Sequence, residues 1–348
     1  MENPLGLNGI EFIEFASPQP ERLDKLFTEF GFSKIMRHRD RKIDLYRQGD
    51  ITFLVNGESR SFAHGFTEKH GPCVPSMAWR VRDPDAARSG GIARGAGAAA
   101  PGLADYRYAD GAVPALMGIG DSLIYLTPDD ASFDQLYGRL GFVPHPEPSV
   151  VKGKGFLIVD HLTNNVEQGT MARWSDFYKR VFGFVEVKYF DIRGAKTGLT
   201  SFALRSPCAK FCIPINEGSE SKSQINEYLR EYRGPGVQHI AFLTGDIVSS
   251  LEAMRGSSVE TLDIDNEYYQ EVFQRVPNVT EDHRKLQDLQ ILVDGDAEGY
   301  LLQIFTRNVI GPIFIEIIQR KNHHAFGEGN FGALFRSIER DQERRGVL

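Results

Sequence analysis

Apolar residues recur at the spacing of one helix face in two short segments of the chain. Residues 20–31 read P-E-R-L-D-K-L-F-T-E-F-G and residues 171–183 repeat the arrangement, ending at Gly31 and Gly183. Apolar side chains three and four positions apart predict an amphipathic helix, and glycine is a common stop. Strand-like runs precede and follow both segments, at 10–15, 44–46, 157–162 and 201–204. We therefore predict a strand, a helix and further strands at two places in the chain.

A second pair of segments matches more closely. Residues 76–83 read S-M-A-W-R-V-R-D and residues 239–246 read H-I-A-F-L-T-G-D. After each aspartate the pattern predicts another helix, near 84–89 and near 247–255. The unit of the chain is therefore a strand, a helix and several strands, and each half uses this unit twice.

The stretch 128–155, between the two halves, is rich in turn residues and weakly periodic. This composition is typical of a linker. We accordingly predict two domains, 1–150 and 151–348.

The end of the chain has its own pattern. From Phe331 onward apolar residues recur at helical spacing, and the run 340–345 is almost wholly charged. The pattern predicts a terminal helix with one apolar face and a solvated end. Gly327 and Gly329, directly before it, are candidate hinge positions.

Length and charge narrow the class of protein. The 348 residues carry 40 Lys plus Arg against 47 Asp plus Glu, a formal net charge of −7. A mildly acidic chain without a basic stripe is poorly suited to phosphate backbones, so we expect no nucleic-acid binding. No run approaches the roughly 20 apolar residues that span a bilayer, and we expect no membrane association. The first residues lack a basic segment followed by an apolar stretch, so we expect no secretory signal.

The cysteines are Cys73, Cys208 and Cys212, an odd and sparse set. This argues against a disulfide framework and predicts a reducing, cytoplasmic setting. Cys208 and Cys212 lack the second pair of ligands that a structural zinc site needs, so buried thiols are the favoured interpretation. The 24 phenylalanines, beside only 2 tryptophans, either fill the core or wall an aromatic pocket, and composition leaves both open.

Candidate chemistry lies where the two halves differ. His161 stands in the strand V-D-H-L-T-N-N-V, whereas the matching G-I-E-F-I-E-F has no histidine, and His239 aligns with Ser76. Glu316 is alone in the apolar run I-F-I-E-I-I-Q-R, with Tyr125 as its counterpart. A buried carboxylate is costly unless it is paired or binds a metal. Two histidines and one carboxylate form the facial triad that holds non-haem Fe(II).

Each residue alone has a simpler interpretation. A strand histidine is commonly a hydrogen-bonded core residue, and Glu316 could pair with Arg320. Confinement of all three to one half favours the metal site. His323 and His324 are adjacent in a polar stretch and are predicted to lie in an exposed loop. The remaining histidines receive no role: His38, His64, His70, His145 and His283.

Six stretches of the second half resemble the 4-hydroxyphenylpyruvate dioxygenase family, within the vicinal-oxygen-chelate superfamily. They are D-H-L-T-N-N-V (160–166), F-Y-K-R-V-F-G-F (177–184), G-V-Q-H-I-A-F (236–242), G-Y-L-L-Q-I-F-T (299–306), G-P-I-F-I-E-I-I-Q-R (311–320) and F-G-E-G-N-F-G-A-L-F (326–335). The similarity runs through nearly the whole chain and is weaker before about residue 150. N-H-H-A at 322–325 departs from the Gly/Asp-rich turn that is more usual in the family.

The resemblance implies an α+β fold, with paired βαβββ modules forming an open mixed β-barrel in each of two duplicated domains, plus a C-terminal helix that acts as a lid. Domain 1–150 would lack metal ligands and serve as scaffold or oligomerisation surface. Domain 151–348 would be catalytic. The chain would form a homo-oligomer, a dimer or a tetramer.

The resemblance also implies one Fe(II) per chain, held by His161, His239 and Glu316. The substrate-binding residues that it implies are Ser201, Asn216, Gln224, Gln238, Gln303, Phe305, Phe314, Phe326 and Phe331. Alternation along a strand puts Gln303 and Phe305 on one face, but it points Gln238 away from the face of His239. The implied reaction converts 4-hydroxyphenylpyruvate, a 2-oxo acid, and O2 into homogentisate and CO2 by decarboxylation, ring hydroxylation and side-chain migration, a step in tyrosine and phenylalanine catabolism.

Other functions fit parts of the pattern. 4-Hydroxymandelate synthase would share the fold, metal and substrate but oxidise the benzylic carbon. An extradiol dioxygenase would share the triad but not the F-G-E-G-N-F segment. An iron-free protein of the same fold that binds an aromatic ligand belongs to a different class, and the triad argues against it.

Overall fold

A computed structural model describes residues 2–100, 102–194 and 196–347. The elements of the first half, in chain order, are β1 (Leu7–Ala16), α1 (Pro20–Glu29), β2 (Ser33–His38), β3 (Ile43–Gln48), β4 (Ile51–Asn56), α2 (Phe62–His70), β5 (Cys73–Val81), α3 (Pro84–Ala93), β6 (Arg107–Tyr108), β7 (Gly111–Ala112), β8 (Ala115–Met117), β9 (Leu123–Pro128), α4 (Phe133–Arg139) and β10 (Phe142–Ser149).

The second half begins with a module of the same kind. Its elements are β11 (Phe156–Val166), α5 (Met171–Phe182), β12 (Val185–Arg193), β13 (Gly198–Arg205), β14 (Cys212–Gly218), α6 (Gln224–Tyr232), β15 (Gly236–Thr244), α7 (Ile247–Ala253), α8 (Asn266–Arg275), α9 (His283–Asp288), β16 (Leu292–Gly295), β17 (Tyr300–Phe305), β18 (Phe314–Lys321) and α10 (Phe331–Arg344).

Within the described ranges, the strands form two large sheets of eight strands each. The first has the order β10-β2-β3-β4-β1-β5-β9-β8 and the second β12-β13-β14-β11-β15-β18-β17-β16. In both sheets the first strand of each module pairs in parallel with the last strand of that module, and the two modules meet through an antiparallel pair, β1 with β5 and β11 with β15. The predicted fold of duplicated βαβββ modules is thus confirmed.

The prediction of a linker over 128–155 is wrong. This stretch contains α4 and β10, and β10 joins the free edge of β2 in the first sheet. Its sequence F-V-P-H-P-E-P-S carries three prolines, which lack the N–H that a central strand needs but are tolerated in an edge strand. The proline-rich composition that suggested a linker therefore marks a sheet edge.

The predicted helices begin and end close to the expected places. α1 begins at Pro20 and α5 ends at Phe182, followed by Gly183 in the left-handed conformation that favours glycine (φ 78°). The stripes predicted from the sequence face the core of each half. The helices of the second module in each half, α3 and α7, begin where predicted. Each follows an aspartate whose side chain accepts at least one backbone N–H group of the first turn.

Aromatic residues at repeated positions fill the seam between the halves. Trp79 of β5 packs against Phe182 and Phe184 of the second half, with ring centroids 4.8 and 5.8 Å away. Phe242, the residue of β15 that aligns with Trp79, packs in the same manner against Phe30 and Phe32 of the first half, at 5.8 and 5.7 Å. The two halves are therefore joined by reciprocal aromatic contacts, to which five of the phenylalanines contribute in these pairs.

The terminal helix α10 is predicted correctly, but its charged end is not simply solvated. Gln342 is fully buried, and Arg345 forms ion pairs with Glu227 of α6 and with Asp341. Arg340 pairs with Asp265, at 2.8 Å. The charged run predicts a solvent-facing end because its ion-pair partners are distant in sequence. Among the described residues, no helix is both long and apolar enough to cross a membrane.

Candidate metal centre and its pocket

The three candidate ligands lie on three adjacent strands of the second sheet. His161 on β11 pairs in register with Ala241 on β15, and Ala241 pairs on its other side with Glu316 on β18. His239 lies two residues before Ala241, so its side chain is on the same face of the sheet. Strand pairing thus brings together residues that are widely separated in the sequence.

Ligand-type atoms of these residues converge. One nitrogen of each histidine and one oxygen of Glu316 lie within 4.8 Å of one another. In the part of the chain that the structure describes, this is the one group of three or more histidine, cysteine or acidic residues whose ligand atoms are this close. His161 Nε2 lies 3.1 Å from Glu316 Oε2, and His239 Nε2 lies 3.4 Å from the same oxygen. Two imidazole nitrogens and one carboxylate oxygen on one side of a cavity are the donor set of a non-haem Fe(II) facial triad.

The close approach of these groups shifts their ionisation. Burial acts to lower the pKa of His161, but the Glu316 and Asp160 carboxylates outweigh it and raise the pKa to about 9. Burial acts to raise the pKa of Glu316, but the two histidines, His161 foremost, lower it to about 2. Burial lowers the pKa of His239. A carboxylate held ionised in a buried site is suited to bind a cation.

The far side of each histidine ring is held by the residue that precedes it. His161 Nδ1 donates to Asp160 Oδ2 at 2.8 Å, and His239 Nδ1 donates to Gln238 Oε1 at 3.0 Å. With Nδ1 as the donor, Nε2 of each ring faces Glu316. Such outer hydrogen bonds fix the tautomer and orientation of metal-binding histidines.

These contacts depend on two β-bulges. Along β11 the register passes from Val159 to His161 with Asp160 as the extra residue, and along β15 it passes from His239 to Val237 with Gln238 as the extra residue. A bulge re-aims a side chain out of the regular alternation. The alternation-based prediction that Gln238 points away from the site is therefore wrong, because Gln238 lines the same cavity as His239.

Arg320 does not pair with Glu316, the simpler interpretation considered for that carboxylate. Its guanidinium instead contacts Asp160 through two bonds of 2.8 Å. Burial acts to raise the pKa of Asp160, but Arg320 and His161 outweigh it and hold the pKa well below its usual range. Sequence reasoning missed Asp160, since nothing local distinguishes it from an ordinary strand aspartate.

The triad lies in the wall of a cavity of about 640 Å³, a volume that includes the part of its mouth open to solvent. The nine residues predicted to bind substrate all line this cavity: Ser201, Asn216, Gln224, Gln238, Gln303, Phe305, Phe314, Phe326 and Phe331. Further lining residues were not predicted: Thr163, Phe190, Ile192, Leu199, Pro214, Leu334, Phe335 and Ile338. Of these, Thr163 could have been found from its period-2 relation to His161.

The phenylalanines surround the histidine rings. Phe314 stacks on His239, with ring centroids 4.8 Å apart and planes 18° from parallel, and Phe305 meets the same ring edge-on at 6.3 Å. Phe326 lies 5.7 Å from the ring of His161. The cavity therefore has apolar aromatic walls next to a cluster of polar ligand atoms, a combination typical of small-molecule sites.

The segment before α10 closes one side of the cavity. Gly327, with φ 83°, lies so close to Gln303 that a Cβ atom would come within 2.0 Å of its Oε1. Gly329 approaches Asp294 in the same way, at 2.2 Å. The close approach of the backbone to these side chains is sufficient to explain both glycines. Their predicted role as a hinge stays a prediction. The adjacent His323 and His324 lie in the loop before this segment, as predicted, although the His323 side chain is largely buried against Asp296.

Comparisons with known proteins cover both halves. The family model described as "Hydroxyphenylpyruvate dioxygenase, HPPD, N-terminal" matches residues 1–142, and that of the "Glyoxalase/Bleomycin resistance protein/Dioxygenase superfamily" matches 158–283. Protein MelA of Shewanella colwelliana is 56% identical over 100% of this chain and 99% of its own length. The 4-hydroxyphenylpyruvate dioxygenase of Legionella pneumophila (strain Philadelphia 1) is 43% identical over 99% of this chain and 98% of its own.

A solved structure gives the same relationship at the level of the fold. A xylose isomerase-like TIM barrel/4-hydroxyphenylpyruvate dioxygenase fusion protein superposes with a TM-score of 0.82 at 29% sequence identity. The match covers 98% of this chain and 54% of the fusion chain. The chain is thus similar to one part of that larger protein.

Proposed function

The chain belongs to the 4-hydroxyphenylpyruvate dioxygenase family, and on that premise we propose that it converts 4-hydroxyphenylpyruvate and O2 into homogentisate and CO2, a step of tyrosine and phenylalanine catabolism. The observation that carries the proposal is the convergence of His161, His239 and Glu316 in an aromatic-walled cavity. The full-length similarity to proteins of that name supports the choice of substrate.

The three converging residues would hold one Fe(II) per chain. Their donor set fits this ion, since two neutral imidazoles and one carboxylate on one face leave adjacent positions free for a bidentate 2-oxo acid and for O2. The bound metal would supply the activation of O2 and the oxidative decarboxylation. The protein's own groups keep Glu316 ionised and turn both Nε2 atoms toward it, so that the three donor atoms face one position.

The walls would orient the aromatic ring of the substrate. Phe305, Phe314, Phe326 and Phe331 offer ring faces and edges, and offset aromatic pairs contribute roughly 0.5–1.5 kcal/mol beyond burial. Ser201, Asn216, Gln224, Gln238 and Gln303 would hold the polar groups of the substrate. Gln303 Oε1 is buried without a hydrogen-bond partner among the described residues, so it is available to accept from a phenol.

The segment 326–335 and α10 would act as the lid. Phe331 packs against Phe190 at 5.3 Å, and Phe335 is buried in the same apolar cluster. A lid of this kind would keep bulk water away from the reacting atoms, which protects a reactive oxidant from side reactions.

The two halves would divide the work. Domain 151–348 would be catalytic, because the triad and its cavity lie there, and domain 1–150 would serve as scaffold or oligomerisation surface in a dimer or tetramer. The three cysteines are free thiols, which suits a reducing cytoplasm.

One assay tests the function. Protein loaded anaerobically with Fe(II) receives 4-hydroxyphenylpyruvate and air, and the product is identified by mass and by the substitution pattern of its ring. We expect homogentisate and CO2 in equal amounts, with one O2 consumed for each homogentisate formed. Formation of 4-hydroxymandelate would contradict the proposal in favour of the synthase. Ligand binding without metal retention or turnover would favour an iron-free binding protein.

A further inference from the structure

A buried ion pair, Asp160 with Arg320, lies next to the triad and outside the cavity wall. Asp160 accepts His161 Nδ1 at Oδ2, and both of its oxygens accept from Arg320, Oδ1 from Nε and Oδ2 from the terminal nitrogen, each at 2.8 Å. The side chains of Asp160 and Arg320 are only 13% and 14% exposed. A bidentate pair of this burial is strong and geometrically specific.

Arg320 has a second set of partners. Its remaining terminal nitrogen donates to the backbone carbonyls of Ala325, at 2.6 Å, and His323, at 3.2 Å. These residues belong to the segment 322–327, which leads from β18 into the lid. One guanidinium therefore joins Asp160 to the backbone of the closing segment.

The closing segment in turn contacts the metal ligand. The ring of Phe326 lies 5.7 Å from that of His161, and the Arg320 guanidinium lies 5.8 Å from the Phe326 ring. Arg320 also follows Glu316 by four residues on the same strand. His161, Asp160, Arg320 and Phe326 thus form a closed circuit of contacts between the triad and the lid.

We propose that Arg320 is a positioning residue that, through Asp160, couples the orientation of His161 to the closed conformation of the segment 322–327. The proposal rests on the metal site of the proposed function. Rotation of His161 would break its bond to Asp160, and release of the segment would remove two of the partners that hold Arg320 in place. Metal binding and pocket closure would therefore stabilise one another.

Variants of the pair test the coupling. D160N keeps the shape of the side chain but removes its charge. R320K keeps the positive charge but cannot make the bidentate contact together with both carbonyl bonds. R320Q removes the positive charge. Two readouts are independent of turnover: titration with Co(II), followed by its ligand-field absorption, and hydrogen exchange of the segment 322–327. We expect each variant to weaken Co(II) binding by about 10- to 100-fold, the usual cost of losing an outer partner of a metal-binding histidine. We also expect altered ligand-field bands and faster exchange in 322–327.

Two control variants separate coupling from general loss of structure. R80K alters an arginine–carboxylate pair of the first half, where Arg80 contacts Glu11 and Asp50. R340Q removes a lid ion pair that has no contact with His161. We expect R80K to leave both readouts unchanged. R340Q should speed exchange in α10 while leaving Co(II) affinity and spectrum as in the unsubstituted chain.

The outcomes discriminate clearly. Unchanged Co(II) affinity in D160N and R320K, with both proteins folded by circular dichroism, would overturn the coupling, as would weaker affinity with no change in the exchange of 322–327. If R320Q fails to fold, D160N and R320K still decide the matter. Normal coupling in a chain that makes no homogentisate would leave this inference standing and defeat only the proposed function.

Discussion

Phe12 occupies in the first sheet the position that His161 occupies in the second. Phe12 pairs with Ala78, and His161 pairs with Ala241, the residue that aligns with Ala78 in the repeated segment. The next strand continues the equivalence, because Ala78 pairs with Tyr125 and Ala241 pairs with Glu316. The first half thus retains the framework of the site with different side chains at the positions of the ligands.

These positions of the first half are filled rather than open. Phe12 and Tyr125 pack around Tyr106, at 5.2 and 5.1 Å, and Glu14 is fully buried beside them. Glu14 accepts hydrogen bonds from Tyr106, Asn56 and Ser76, the counterpart of His239. The duplicated framework therefore became packed core in one half and a cavity in the other.

The buried Glu14 carboxyl should make stability depend on pH. Burial, reinforced by Asp105, raises its pKa well above the usual range of a carboxyl. A raised folded-state pKa gives a contribution that is fully present below the unfolded value, about 4.3, and is lost as the pH rises through the folded-state value. The unfolding free energy of Glu14→Gln minus that of the unsubstituted chain should therefore increase by on the order of 1–3 kcal/mol as the pH rises from 5 to 8.

Urea unfolding at several pH values measures this difference. Glu21→Gln, at an exposed position of α1, is the matched control and should show the pH dependence of the unsubstituted chain. A constant difference between Glu14→Gln and the unsubstituted chain across this range would contradict the prediction.

Removing Glu316 should abolish metal retention and turnover together. Glu316→Ala deletes one of three ligands, so its effect on Fe(II) affinity should exceed the roughly 10- to 100-fold cost of losing an outer partner. Iron content after desalting and homogentisate formation measure the two effects. Tyr125→Phe, at the equivalent position of the first half, should retain iron. Activity like that of the unsubstituted chain in Glu316→Ala would refute the assignment of the triad.

Loss of the lid should separate oxygen consumption from product formation. A chain ending at Gly329 lacks Phe331 and α10, and Phe331→Ala removes only the ring that packs on Phe190. In both we expect more O2 consumed than homogentisate formed, or no product, because water reaches the reacting atoms. An oxygen electrode and chromatography give the ratio. Phe133→Ala, outside the pocket, should keep the ratio of O2 consumed to homogentisate formed at one. A ratio of one in the truncated chain would contradict the lid.

The charged end of α10 should hold the lid in a salt-dependent manner. Asp341 contacts Arg307 at 2.5 Å and Arg345 at 2.8 Å. Partly exposed pairs of this kind contribute up to about 1 kcal/mol each and are weakened by salt. At low salt, Asp341→Asn should exchange the amide hydrogens of α10 several-fold faster than the unsubstituted chain. Raising the salt concentration should change the exchange rate of the variant little further. Asp50→Asn, which alters a pair of the first half, should leave exchange in α10 unchanged.

Local periodicity made much of the architecture predictable. The apolar stripes of α1 and α5 depend only on the spacing of residues that are close in sequence. The same is true of the repeated segments that form β5 and β15, so both can be recognised without knowledge of the fold. The candidate triad was also predictable, because His161, His239 and Glu316 are metal-ligand residue types in apolar strands and their counterparts in the first half are not. Patterns among neighbouring residues thus specify the elements, their duplication and the candidate ligands.

Other features depend on contacts between distant parts of the chain. β10 resembles a linker because its prolines are allowed by the edge position it takes beside β2, and Gln238 and Asp160 reach the site because bulges arise from pairing with a neighbouring strand. The partners of Arg320 and of the α10 charges are likewise far away in the sequence. Strand register, bulges and ion pairs all depend on which distant residues become neighbours in the fold, and the local sequence pattern does not specify those neighbours.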